Sequence, residues 1–62
     1  MKKFWFTFGF GQRYENCYTV IEAEDKMAAL DEMNRRWGKE WSMQYDSAEG
    51  AGVKLFNLKE IK

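Results

Sequence analysis

The 62-residue sequence contains no histidine, no proline and a single cysteine, Cys17. One cysteine cannot form a disulfide within the chain, and without histidine a zinc site lacks its usual nitrogen ligand. A chain of this length forms one domain at most and buries only about 60% of the surface that its unfolded form exposes. Association with another molecule is then the remaining common source of extra stability for so small a domain.

The sequence also lacks a long apolar run and an excess of charge of either sign. No stretch approaches the roughly 20 apolar residues that a membrane-spanning helix needs. The first residues carry neither the apolar segment nor the small-residue cleavage site of a secretory signal, so we expect a cytoplasmic protein without a membrane partner. Ten basic and ten acidic residues cancel, which argues against a protein built mainly to bind the phosphate backbone of nucleic acids.

Aromatic residues, by contrast, are plentiful, at 18% of the chain. Near the N-terminus they alternate, with Trp5 on one side and four phenylalanines on the other, at Phe4, Phe6, Phe8 and Phe10. A period of two predicts a β-strand whose phenylalanine face is buried. Trp5 then lies on the opposite face, which so small a domain cannot also cover completely. We therefore predict that the chain forms a homo-oligomer, most simply a homodimer, with Trp5 in the self-association contact.

Two further segments have clear patterns. Residues Cys17–Ala23 combine β-branched and aromatic side chains and predict a second strand. Apolar residues at helical spacing predict a helix over Lys26–Trp37. We expect Asp25 to cap the N-terminus of this helix and Gly38 to end it, as these residue types commonly do. The helix residues expected to meet the phenylalanine face are Leu30, Met33 and Trp37.

The remaining segments are shorter and less regular. Residues 41–45 alternate, with Trp41 on the same face as Tyr45, and predict a third strand. Residues 46–52 predict a loop, and residues 53–61 fit either a strand or a helical turn, of which we favour a fourth strand. Together these elements predict an α+β domain in which a small antiparallel sheet, β-β-α-β with a possible fourth strand, packs on one helix.

Catalytic chemistry has little support in the sequence. A nucleophilic Cys17 would need an activating base or charge, and its neighbours Asn16 and Tyr18 supply neither. The carboxylate pairs at positions 22 and 24 and at positions 31 and 32 fall at the start of the predicted helix and on its solvent face, where no cleft is expected. We therefore expect no enzymatic activity, no catalytic residue, no metal site and no cofactor.

The connection between the first two strands is longer than the two residues that a tight hairpin requires. It presents polar and aromatic side chains at a strand end, and tyrosine and arginine are among the residue types that most often anchor interfaces. We therefore predict that this loop contacts a partner protein. The predicted partner-binding residues are Gln12, Arg13, Tyr14 and Asn16. The next candidates are the loop of residues 46–52 and the basic helix end at Arg35, Arg36 and Lys39.

The segments FTFGFGQ, YTVIEA and MAALDEM, followed by WG, Trp41 and Tyr45, resemble a family of very short proteins encoded by bacteriophages and prophages. The shared pattern is an aromatic first strand ending in Gly-Phe-Gly-Gln, a Tyr-x-Val-Ile-x-Ala second strand, and a helix that closes on an aromatic-Gly pair before a Trp strand. It covers most of the chain up to Tyr45. Short phage proteins of this kind often bind and block a host protein, so the resemblance implies a bacterial host cell and a host partner.

From these observations we expect a non-enzymatic, phage-derived binding protein in the host cytoplasm. It would modulate or inhibit a host protein, such as a component of bacterial defence. One alternative is an accessory protein that binds nucleic acid or nucleotides, because aromatic residues adjoin basic ones near the N-terminus. A second alternative is a small subunit of an enzyme complex.

Overall fold

The computed structural model describes residues 1–9, 11, 13–38 and 40–61. Within these residues the secondary structure follows the order β-β-α-β-α-β. Its elements are β1 (Lys2–Thr7), β2 (Cys17–Ala23), α1 (Lys26–Trp37), β3 (Met43–Tyr45), α2 (Ala48–Ala51) and β4 (Lys59–Glu60).

The four strands form one sheet in the order β3-β1-β2-β4. Strand β1 is antiparallel to both of its neighbours, whereas β4 runs parallel to β2. The predicted α+β class is confirmed, but the sheet is mixed rather than wholly antiparallel. The connection after β3 crosses the sheet to its far edge, and β4 then runs in the same direction as β2.

The phenylalanine face of β1 forms the core, as the alternation predicts. Phe4, Phe6 and Phe8 are all buried, while Phe10, predicted to share this face, lies outside the described residues. Across the sheet Phe4 pairs with Ile21 and Phe6 with Thr19, so both strands contribute to one buried layer. From α1, the fully buried residues on this layer are Ala29 and Met33, and the partly buried ones are Leu30 and Trp37.

Helix α1 has the predicted bounds and the predicted caps. An Asp25 carboxylate oxygen accepts a hydrogen bond from the Ala28 N–H at 2.9 Å, which satisfies one of the unpaired donors of the first turn. At the other end Gly38 has a positive φ of 61°, and its N–H donates to the Asn34 carbonyl at 2.9 Å. Glycine accepts this conformation without the steric penalty of a side chain.

The second face of the sheet carries Trp5, whose cross-strand neighbours are Val20 and Tyr45. Helix α2 contacts β1 and β3, and a Cβ on Gly50 would lie 3.8 Å from the Tyr45 Cβ, so α2 packs on this same face. Consistent with this placement, Ala51 is buried but does not belong to the phenylalanine core. The connection from β2 to β3 crosses the sheet in one direction, and the connection from β3 to β4 crosses it in the other. Both join parallel strands, and such connections are almost always right-handed. The two connections must therefore lie on opposite faces of the sheet.

Several boundaries differ from the predictions. Strand β1 ends at Thr7, and β3 begins at Met43 rather than at residue 41. Trp41 therefore leaves the predicted alternation and packs edge-on against Phe6 in the core, with ring centroids 5.2 Å apart.

The C-terminal part also departs from the expected pattern. Residues 46–52, predicted as a loop, contain the short helix α2, whose N-terminus is capped by Ser47. In residues 53–61 the favoured fourth strand is present but is limited to Lys59–Glu60. Turns occupy most of the remainder.

Candidate functional site

The loop between β1 and β2 is anchored on the core by Tyr14. Its ring is partly buried and packs edge-on against Phe8, with centroids 5.5 Å apart. The exposed guanidinium of Arg13 lies 5.3 Å from the centroid of the Tyr14 ring, within the range of a cation–π contact. Gln12, the first of the predicted partner-binding residues, lies outside the described residues.

Hydrogen bonds connect several described residues of the same loop. The Cys17 N–H donates to the Tyr14 carbonyl at 3.1 Å, and the Gly11 N–H donates to a Glu15 carboxylate oxygen at 2.9 Å. Asn16 adopts a left-handed φ of 64°, which asparagine tolerates better than most residues. Its carbonyl accepts from the Lys59 N–H at 2.9 Å, which links the loop to β4. These bonds link described residues of the loop to one another and to β4.

An exposed apolar turn lies beside this loop and was missed by the sequence analysis. Leu55 is 81% exposed and Phe56 is 66% exposed. Phe56 and Asn57 line the same groove as residues 15–17 of the loop. We call Arg13, Tyr14, Asn16 and Phe56 the hairpin-end surface. The two adjacent apolar residues were a signal for an interface, but they lie in the segment that was predicted as a strand or a helical turn.

Gly52 lies against the Phe56 ring. It has a left-handed φ of 75°, and a Cβ built on it would lie 2.5 Å from an atom of that ring. A side chain at this position would strain the backbone and displace the ring. One side of Phe56 therefore rests on backbone, while most of its surface is open to solvent.

The basic end of α1, the second candidate site, is occupied by internal ion pairs. Arg35 and Arg36 both bond the Glu32 carboxylate. Hydrogen bonds from Arg35, and then from Arg36, lower the pKa of Glu32 below its ordinary value, and the same carboxylate raises the pKa of Arg35. Lys39, the third member of this candidate, lies outside the described residues. The two arginines are therefore less available to an external anion than the sequence indicates.

Cys17 lies partly exposed in the groove beside Phe56, and it is not part of a disulfide. Among residues 1–9, 11, 13–38 and 40–61, no group of three or more His, Cys, Asp or Glu side chains is placed to hold a metal ion. Trp5 is half-buried in the middle of its sheet face. Its predicted role in self-association stays a prediction.

In the described part of the chain, no helix has the length and apolar character needed to cross a membrane. No family model, curated protein or solved structure matches the chain. The resemblance to phage-encoded proteins stays a prediction, and functional inference depends on the geometry of the chain itself.

Proposed function

We propose that this chain is a phage-derived, non-enzymatic protein that binds a host protein through the hairpin-end surface and modulates or inhibits it in the bacterial cytoplasm. The observation that carries the proposal is the exposure of Phe56, which shares a groove with Asn16 of the loop that presents Arg13 and Tyr14. Exposed apolar groups next to polar ones are typical of protein-binding sites.

The fixed geometry of this surface favours tight binding. Tyr14 is held by Phe8, Asn16 by Lys59 and Phe56 by Gly52. Side chains and loops that are ordered before binding lose less conformational entropy when a partner arrives. Aromatic and arginine side chains in such positions supply much of the binding energy of protein interfaces.

Nucleic-acid binding has less support in the same geometry. Arg35 and Arg36 are paired with Glu32, and Arg13 lies over the Tyr14 ring. The net charge of the chain is zero, whereas binding to a phosphate backbone usually leaves a basic footprint. A purified sample whose absorbance ratio shows bound nucleotide would favour this alternative.

Affinity capture from a bacterial host with the wild-type chain, followed by mass spectrometry, identifies the partner. Titration of the purified partner then measures the affinity of single variants. We expect Arg13→Ala and Phe56→Ala each to weaken binding by about 2 kcal/mol, the scale of an interface hot spot.

Met27→Ala is the matched control, because Met27 is 65% exposed and lies on α1, outside the hairpin-end surface. Circular dichroism must show that all variants keep the fold. Equal affinity of the Arg13, Phe56 and Met27 variants would place the binding site elsewhere and overturn the proposal.

A further inference from the structure

Strand β2 is longer than the strand that pairs with its outer edge. It spans seven residues, but β4 pairs with only two of them, Cys17 and Tyr18. The Ile61 N–H, donating to the Tyr18 carbonyl at 2.8 Å, carries the contact a little further. Beyond this point no described strand lies beside residues 20–23, which we call the free β2 edge.

The hydrogen bonds to β4 show which peptide groups point outward. Lys59 donates to the Asn16 carbonyl and Ile61 donates to the Tyr18 carbonyl, so the even-numbered residues direct their peptide groups away from β1. Because this direction alternates along a strand, the N–H and C=O groups of Val20 and Glu22 point to the same edge. They form a template on which another strand can add.

A groove runs between the free β2 edge and α1. Its helix wall consists of residues four apart, Ala28, Glu32 and Arg36, and its volume is about 480 Å³. Four strand residues extend about 13 Å, which fits a short extended segment lying against the wall. Ala28 and Ala23, both small, widen the end of the groove nearest the start of the helix.

The groove is lined by five apolar residues and four charged ones, and the charged ones are three glutamates and one arginine. Glu32 already bonds Arg36 and Arg35. Glu22 and Glu24 are exposed and form no ion pair with another described residue. Lys3 is the cross-strand neighbour of Glu22 on β1 but forms no described ion pair with it. A strand that adds here therefore meets two exposed carboxylates, which favour basic side chains in the incoming segment.

A second copy of the chain fits this edge poorly. Two β2 strands could pair antiparallel with Glu22 of each copy opposite Val20 of the other. This register places Ala23 of the second copy beside Thr19 of the first, where Ile61 already lies. The register that avoids Ile61 sets Glu22 opposite Glu22 of the second copy. Like charges directly opposite each other destabilise a strand pair.

We propose that the free β2 edge binds an extended, lysine- or arginine-containing segment of a partner protein, which adds to the sheet as a short strand between β4 and the start of α1. Main-chain hydrogen bonds to Val20 and Glu22 provide the pairing, and Glu22 and Glu24 select the basic segment. This surface is separate from the hairpin-end surface, so the two proposals can fail independently.

The test uses a capped octapeptide in which lysine alternates with valine, and a control octapeptide with glutamate in place of lysine. Amide spectra of the ¹⁵N-labelled chain should change at Val20, Glu22 and Ala28 with the lysine peptide alone. Hydrogen exchange of the Val20 and Glu22 amides should slow on binding, because a paired amide is protected. Changes confined to other residues, or equal binding of both peptides, would overturn the proposal.

Two variants separate charge from strand addition. Glu22→Lys should weaken the lysine peptide about tenfold, whereas Glu40→Lys, an equal change of charge at an exposed residue outside the groove, should change the affinity less than about twofold. Glu22→Pro removes an outward N–H, which an edge strand tolerates, and should abolish binding, whereas Glu22→Gln removes the same charge but keeps the N–H and should weaken binding only in part. Equal binding of the peptide by the proline and glutamine variants would rule out the added strand. If the free chain self-associates and Glu22→Pro abolishes this self-association, the occupant of the edge is a second copy of the chain and not a basic segment of a partner.

Discussion

Phe6 and Phe56 show how differently two phenylalanines can act in one small protein. Phe6 is completely buried in the core, whereas Phe56 is 66% exposed. We predict that Phe6→Ala lowers the free energy of unfolding by about 3–5 kcal/mol, because it removes a large buried ring and leaves a cavity. Chemical denaturation with Phe56→Ala as the matched control measures the difference. Similar losses for the two variants would contradict the packing described here.

Cys17 is predicted to be dispensable. Cys17 is partly buried against the core, lines the groove beside Phe56 and is not part of a disulfide, and the sequence contains no histidine that could activate its thiol. Cys17→Ala and Cys17→Ser should keep partner binding, with a loss of stability of at most about 1 kcal/mol, within the ordinary range for substitution of a partly exposed residue. Loss of all partner binding in a chain that still folds would assign the thiol a direct role.

Single residues were predictable where a strong local pattern acted alone. The alternation from Phe4 to Phe8 and the cap at Asp25 were both visible in the sequence. The position of Trp41 was not visible, because its alternation with Tyr45 predicted a strand. In the structure its ring instead packs edge-on against Phe6. The exposure of Phe56 was not predictable either, because it lies in a turn that no local sequence pattern indicated.

At the scale of elements, β2 and α1 have the predicted bounds, whereas α2 was missed and β4 is much shorter than the predicted segment. The first pair are seven and twelve residues long and show clear periodicity. The second pair contain four and two residues, too few to show a period. Such short elements are fixed by tertiary contacts, here the packing of α2 beside Tyr45 and the bond from Lys59 to Asn16. The hairpin-end surface depends on both, so only its loop half was predicted.

The ion pairs along α1 predict a dependence of stability on pH. The pKa of Glu32 lies below its ordinary value of 4.5 because Arg35 and Arg36 bond the carboxylate. A folded pKa below the unfolded one adds stability above the unfolded pKa, and this contribution is lost as the pH falls through the folded value. We therefore expect Glu32→Gln to lower Tm at neutral pH and the difference from wild type to shrink in acid.

Thermal unfolding of both chains between pH about 7 and pH about 2.5 measures this effect across the titration range of carboxylates. Asp31→Asn is the control, since Asp31 is exposed on the same helix and forms no ion pair with the described residues. A difference between wild type and Glu32→Gln that stays constant through the acid range would show that the carboxylate does not act through its charge.

At the scale of the whole molecule, the sheet face that carries Trp5 is only partly covered. Helix α2 shields part of it, and Trp5 remains half-buried between Val20 and Tyr45. We predict dimers at micromolar concentration and a shift to monomers for Trp5→Lys, because a lysine charge opposes burial in an apolar contact. Light scattering measures the mass, and Met27→Lys, on the other side of the sheet, is the control. A mass of 7.4 kDa for the wild-type chain at all concentrations would exclude self-association.

The two-residue pairing of β4 has a consequence for how the molecule opens. The segment that follows α2 reaches the sheet edge through the backbone bonds of Lys59 and Ile61, one bond from the Tyr18 hydroxyl to Glu60 at 3.5 Å, and the packing of Ile61 against the core. A segment that is held by few hydrogen bonds and contains exposed turns can detach while the rest of the protein stays folded. The Lys59 and Ile61 amides should exchange with solvent long before those of Phe6 and Met33. While the segment is detached, the outer edge of β2 is unpaired along its whole length. A longer incoming strand could then pair with this edge in place of β4, which would move Phe56 away from the hairpin loop.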